Sequence, residues 1–292
     1  MVNTIYVSEF LKLRFPVIHE ILKTNLTAHG LRLGYISGSY NIWVRDYLPI
    51  QVGDKFVKFK YKTVGYDEFP WMTVLDKSID FLKPIYSDIV LDGGNIVKCK
   101  DKAIITEKVF VDNPNEMESS IKYKLEKLLE CEIIIIPSEP EDLLGHSDGI
   151  LQWIDEKNVF INDYSVMMQI RKNGWKKYLE DIISRLKDRG IGVELFPYAY
   201  NKCPKMKPAE FRAKYPFADD MNQATGYYIN YLKIKDLIFL PVFGFPEDRD
   251  AVDKLKIFYP KHDIVCIDCN EISAEGGLLH CITMEYKEGK NV

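Results

Sequence analysis

One short unit recurs along this chain: a small polar or glycine-bearing motif, a strand, a charged turn and a second strand. Residues 46–52 run through Gly53-Asp54-Lys55 into 56–61. Residues 93–99 run through Lys100-Asp101-Lys102 into 103–106, and 146–154 through Asp155-Glu156-Lys157 into 159–161. Residues 228–234 pass Lys235-Asp236 into 237–240, and a last copy, 276–283, meets the C-terminus before a full return strand. Turn residues between alternating apolar runs signal β-hairpins. Helical patterns lie between the hairpins. Residues 119–130 line up Ile121, Leu125, Leu128 and Leu129, residues 175–186 line up Tyr178, Leu179, Ile182 and Leu186, and 249–258 offer a third, shorter helix. A further strand follows each helix, as at 132–136 and 263–267. Hairpin, helix, strand, repeated every ~50 residues, is a unit too small to bury its own apolar face. The pattern therefore predicts a radial, propeller-like α/β fold with the leading motifs at its centre. The alternative is an ordinary α+β domain in which hairpins recur by coincidence. No Gly/Ser-rich linker interrupts the series, so residues 1–292 read as a single domain.

The charge balance narrows the function classes. There are 39 basic and 43 acidic residues, a net charge of -4, so no general nucleic-acid footprint and no basic membrane-surface helix are expected. The most apolar run, 237–245, is broken by Pro241 and Gly244 and falls short of the roughly 18 residues that span a bilayer. The first ten residues lack a basic then apolar leader pattern, and six cysteines without framework spacing fit reduced thiols. A cytoplasmic location is the expectation; oligomeric state is not readable.

Several residues could carry chemistry. In Trp43-Val-Arg45-Asp46, Asp46 could receive a cation at the mouth of a strand; equally, Arg45 and Asp46 could bond to backbone while Trp43 fills core. His146-Ser147-Asp148 opens a predicted strand, where residues i and i+2 point the same way, so imidazole and carboxylate would face one spot. A solvated turn is the competing reading. His280-Cys281 follows Gly276-Gly277, and strand neighbours face opposite sides, so one belongs to the core and one to the centre. Cys266, Cys269 and His262 have partial zinc spacing, but a fourth ligand from Cys203, His280 or Cys281 forms no matching pair. Core packing is favoured there and no metal is expected. His19 and His29 read as structural, and Gly93-Gly94 is too short for a phosphate loop.

Taken in order, Trp43-x-Arg45-Asp46-x-x-Pro49, Asp92-Gly93-Gly94-Asn95, Gly145-His146-x-Asp148, Tyr228-Ile-Asn230-Tyr231 and Gly276-Gly277-x-x-His280-Cys281-Ile-Thr283 resemble the agmatine deiminase and bacterial peptidylarginine deiminase family of the guanidine-modifying superfamily. The resemblance runs from residue 41 to 283. It implies a five-bladed α/β propeller with pseudo-fivefold symmetry and a small guanidino substrate. It implies Cys281 as nucleophile, His146 as acid/base, and Asp46 and Asp148 as the carboxylates gripping the guanidinium. It further implies substrate-side roles for Trp43, Asn230, Asp142, Gly276 and Gly277, and no cofactor. Three places depart from the family pattern: Val111-Asp112-Asn113-Pro114 lacks an expected Arg, Met284-Glu285 stand where glutamines are usual, and Asp142 is a shorter acid than expected.

Overall fold

The recurring sequence unit folds into a recurring sheet. In the computed structural model, which describes residues 3–38, 40–61, 76–140, 142, 144–171, 174–199 and 224–287, the strands are β1 (Thr4–Ser8), β2 (Arg32–Ile36), β3 (Ile50–Val52), β4 (Lys55–Lys60), β5 (Ile85–Val90), β6 (Val97–Cys99), β7 (Lys102–Thr106), β8 (Glu132–Ile136), β9 (Leu151–Trp153), β10 (Asn158–Asn162), β11 (Gly192–Phe196), β12 (Leu232–Ile234), β13 (Leu237–Val242), β14 (Asp263–Asp268) and β15 (Met284–Tyr286). They form five three-stranded sheets: β3-β4-β5, β6-β7-β8, β9-β10-β11, β12-β13-β14 and β15-β1-β2. In each, an antiparallel pair is extended by a strand running parallel to the central one.

The fifth sheet supplies what the last sequence copy lacked. β15 pairs antiparallel with β1 from the N-terminus, Ile5 opposite Glu285, so the return strand of the C-terminal hairpin comes from the other end of the chain. The Pro16–Ala28 helix, carrying buried His19, links β1 to β2 in the position that Glu118–Leu129, Trp175–Lys187 and Pro246–Phe258 hold in other sheets. The helices expected from periodicity are present, with Ile121, Leu125 and Leu129, and Tyr178, Leu179, Ile182 and Leu186, buried. The third helix runs 13 residues, longer than expected, because Pro246 starts it at a first-turn position that needs no amide donor.

The central strands β7, β10 and β13 are buried along most of their length, which is why Ala103-Ile104-Ile105, Val159-Phe160-Ile161 and Leu237-Ile238-Phe239-Leu240 read as continuous apolar runs. Three hairpins turn on a residue with positive φ at the same place: Gly53 at 60°, Lys100 at 47° and Lys235 at 52°. That conformation matches the right-handed twist of the paired strands, and it recurs although only one copy carries glycine.

The chain divides into two units, residues 1–138, 144–148 and 281–292 in the first, and 139–143 and 149–280 in the second. The first holds three of the sheets and an apolar core built from Val44, Tyr47, Ile79, Ile105, Leu125, Ile133 and Tyr286 with their neighbours. The second holds the other two, with Phe160 packed on Phe196 (4.8 Å between ring centres) and on Phe258 (5.0 Å). No helix among the described residues is long and apolar enough to cross a membrane.

Candidate active site

Within the first unit, four segments bring their polar residues to one place. Each stops short of regular strand just there. Asp46 sits in a single helical turn, Val44–Tyr47, and not at the mouth of a strand as expected. Its Oδ1 accepts from the Gly94 amide at 3.0 Å. Gly93–Asn95 forms a 3₁₀ turn ahead of β6. His146 and Asp148 also differ from the strand reading: residues 147–149 form a 3₁₀ turn and β9 begins only at Leu151. The cause is Asn95, whose Oδ1 accepts from both Thr106 N (2.9 Å) and Ser147 N (3.2 Å), while Ser147 Oγ donates to Ile104 O (3.2 Å). These bonds hold the turn against β7 and remove the amide that a strand would have used. Cys281 likewise lies in a turn ahead of β15, so alternation along a strand does not separate it from His280.

The result is an imidazole among carboxylates. His146 Nε2 is 3.1 Å from Asp92 Oδ2, and His146 Nδ1 is 3.6 Å from Asp46 Oδ1. Cys281 Sγ is 3.8 Å from Asp148 Oδ2. Gly94 lies between these groups. A Cβ there would stand 2.6 Å from Asp46 Oδ1, 2.8 Å from His146 Nδ1 and 3.4 Å from Asp148 Oδ1, so only glycine fits. Asp92 and Asn95 are the residues that motif reading passed over. The signal was present, since both belong to the Asp92-Gly93-Gly94-Asn95 run, but Asp92 meets His146 54 residues on and Asn95 meets Ser147 52 residues on.

Burial works against charge on His146, yet Asp46, Asp92 and Asp148 outweigh it and hold the imidazolium up to about 10. Burial also raises Asp46, to about 7, with Asp92 and Asp148 adding to the effect and His146 opposing it. The cluster thus carries excess negative charge in a dry place, and an incoming planar cation would relieve it. Trp43, at the start of the Asp46 turn, is buried and takes a bond from its own amide to Asn41 Oδ1 (2.9 Å).

The remaining candidates belong to the second unit. Asn230 is buried, and both its backbone oxygen and its Oδ1 accept from His280 N, at 3.2 Å each. Gly276 has φ of 93°, a turn that disfavours any side chain, and Gly277 is buried. Asp142 is half-buried and its amide donates to Glu139 O (3.3 Å). Sequence reading missed Glu139 itself, which is buried and accepts from Tyr164 Oη (2.6 Å) and Tyr227 Oη (2.8 Å). Burial, helped by Asp142 and opposed by the tyrosine hydroxyls, pushes Glu139 up to about 8. Folding therefore favours its protonated form. That stability is present at pH below the ordinary carboxyl range and drains away as pH rises toward about 8. Glu139→Gln should leave stability at pH 5 little changed and stabilise the protein at pH 8.5, by on the order of 2 kcal/mol, as read from denaturant midpoints. Equal midpoint shifts at both pH values would show that Glu139 is not held protonated by the fold.

Cys266 is exposed and Cys269 fully buried, and no group of three metal-ligating side chains occurs among the described residues. Cys203, the other cysteine weighed for zinc, lies outside the described residues.

The sequence model of the Porphyromonas-type peptidyl-arginine deiminase family matches residues 11–286. The chain belongs to that family. A relative, the agmatine deiminase of Pseudomonas aeruginosa (strain LESB58), is 27% identical over 91% of this chain and 80% of its own length. Among solved structures, C. jejuni agmatine deiminase superposes with a TM-score of 0.73 at 14% identity, covering 99% of this chain and 94% of that one. The agmatine deiminase of Enterococcus faecalis gives 0.71 at 18% identity, covering 97% and 93%. At these identities the likeness establishes the fold: the radial α/β fold expected from the repeats and the five-bladed propeller implied by the resemblance are borne out. The α+β alternative is set aside by the five sheets of one topology.

Proposed function

We propose that this family member is a guanidino deiminase of the agmatine deiminase type, residues 1–292 forming one guanidine-modifying domain at work in the cytoplasm. The observation that carries the reading is the enclosure around Gly94: Asp46, Asp92 and Asp148 beside His146, with the Cys281 thiol against Asp148.

A guanidinium is planar, delocalised and permanently charged. Asp46 and Asp148 take its N–H edges in bidentate bonds and leave one face of the carbon open. The Cys281 thiolate attacks that carbon, giving a tetrahedral adduct. His146, oriented by Asp92 through Nε2, gives a proton to the departing ammonia. The thiouronium that remains is hydrolysed by a water from which His146 takes a proton, and the ureido product leaves with the thiolate restored. The chemistry calls for no metal or organic cofactor. Trp43, Asn230, Asp142, Gly276 and Gly277 are proposed to shape the side of the site that meets the rest of the substrate.

Agmatine is the proposed substrate because a relative aligned over 91% of this chain and 80% of its own length carries that activity in its name. The family model favours a second reading, peptidyl arginine. A panel of agmatine, arginine, methylated arginines and C-terminal arginyl peptides separates the two, scored by ureido product and ammonia. Turnover of none of them would overturn the reading and leave a cation-binding propeller. Within it, Asp46→Asn and Asp148→Asn should each cost ~2–5 kcal/mol in kcat/KM, the loss of a desolvated charge partner. Unchanged kinetics in either variant would place that carboxylate outside the substrate's reach.

A further inference from the structure

Arg45 is a junction in the first unit. Its amide donates to Cys281 O at 3.0 Å. Its carbonyl oxygen is so close to Gly93 that a Cβ there would stand 2.0 Å away. The next residue is Asp46, bonded to Gly94 and facing His146. The Arg45 side chain turns to β15: Nη2 pairs with the Glu285 carboxylate, and Nη1 contacts Met284 Sδ at 3.2 Å. Three further bonds follow the same seam, Tyr286 Oη donating to Pro49 O (2.8 Å), Lys287 N to Gln51 Oε1 (2.7 Å) and Gln51 Nε2 to Lys287 O (2.8 Å). Of these ties only Arg45–Glu285 joins opposite charges, and its guanidinium is buried. An ion pair whose guanidinium is buried is a poor source of stability but a strict geometric constraint, since the buried charge does not tolerate the loss of its partner. Arg45 thus connects the segment bearing Cys281, the turn bearing Asp46 and the Gly93-Gly94 turn through its main chain, and Glu285 holds it in place.

We infer that Glu285 and Arg45 form a positioning pair for the deiminase reaction, setting Asp46 and Cys281 in register with each other. The pair touches no reacting atom. This inference rests on the deiminase reading above, and its test is built so that the two can fail separately.

Wild type, Glu285→Gln and Glu285→Asp are compared in full-length protein. Glutamine keeps size and hydrogen-bonding capacity but removes the charge, while aspartate keeps the charge on a shorter arm. On agmatine, Glu285→Gln should lower kcat more than fivefold with KM within threefold, and Glu285→Asp should recover more than half of the lost rate on a logarithmic scale. Without substrate, the rate at which iodoacetamide alkylates Cys281, followed by peptide mapping, should change more than threefold in Glu285→Gln, with the other cysteines unaffected. A smaller loss of kcat together with an unchanged alkylation rate overturns the inference. So does a loss shared equally by both variants and matched by a fall in melting temperature, which would make the pair a stabilising contact only. If wild type itself releases no ammonia from any guanidine, the deiminase reading fails, and the alkylation arm still decides whether the pair positions Cys281.

Discussion

Cys281→Ser should lower guanidine turnover by about 10³-fold or more while the melting transition stays near that of wild type. The magnitude follows from removing the atom proposed to form the covalent intermediate; a neutral hydroxyl cannot take its place beside an imidazole already held as imidazolium. Cys281 is partly exposed in a turn, so little packing is lost. Alkylation should separate it from its fellows. Burial pushes the Cys131 thiol up to about 11 and raises buried Cys269 well above its usual value, while partial desolvation and Asp248 raise Cys266 although its side chain reaches solvent, so each is a weaker nucleophile at neutral pH. Iodoacetamide should therefore reach Cys281 before these three, and agmatine should protect it. More than a few per cent residual turnover in Cys281→Ser would end the assignment, and faster labelling of Cys266 or Cys269 would point to redox chemistry.

His146→Ala should lower turnover by ~10²–10⁴-fold or more, because in the proposed mechanism one residue serves two proton transfers. Affinity for agmatine should change far less, since Asp46 and Asp148 remain to grip the cation. The pH profiles carry a second test. In the empty site three carboxylates keep His146 protonated to about 10, so the alkaline limb of kcat/KM, which reports the free enzyme, should lie near there. A bound guanidinium adds positive charge beside the imidazole and favours its neutral form. The alkaline limb of kcat, which reports the complex, should fall at lower pH. Asp46→Asn removes one of the charges that holds the proton and should move the kcat/KM limb the same way. Coincident limbs in wild type would mean that His146 does not meet the bound cation.

The repeat was legible because each copy carries its own local code. Hairpin turns such as Lys100-Asp101 and Lys235-Asp236, and helix faces such as Ile121, Leu125 and Leu129, are set by residues close in sequence. The hairpins at 50–60, 97–106, 151–162 and 232–242 accordingly fall where alternation and turn chemistry place them. The fifth was only half legible, because its return strand is β1, nearly 280 residues away, and no local pattern announces a partner at the opposite terminus. Glu285 shows the same limit. In sequence it stands out only as a departure from the pattern that the family resemblance leads one to expect, whereas in the fold it is the partner of Arg45.

The site divides in the same way. The family resemblance marked Asp46, His146, Asp148 and Cys281 as candidates, and the fold brings the four to one place around Gly94. The backbone itself was misread. His146 and Asp148 face one place not by strand alternation but because Asn95 takes two amides, from Thr106 and Ser147, and holds a 3₁₀ turn. Asp92 gained its role only when folding set it 3.1 Å from His146 across 54 residues of chain. The repeating unit, the apolar faces and the chemical inventory are written in the order of residues, because propensity and periodicity act over a few residues. Tertiary structure alone decided the closing strand, the turn geometry and the charge state of His146, because each depends on groups brought together from distant segments and on the water that their burial removes.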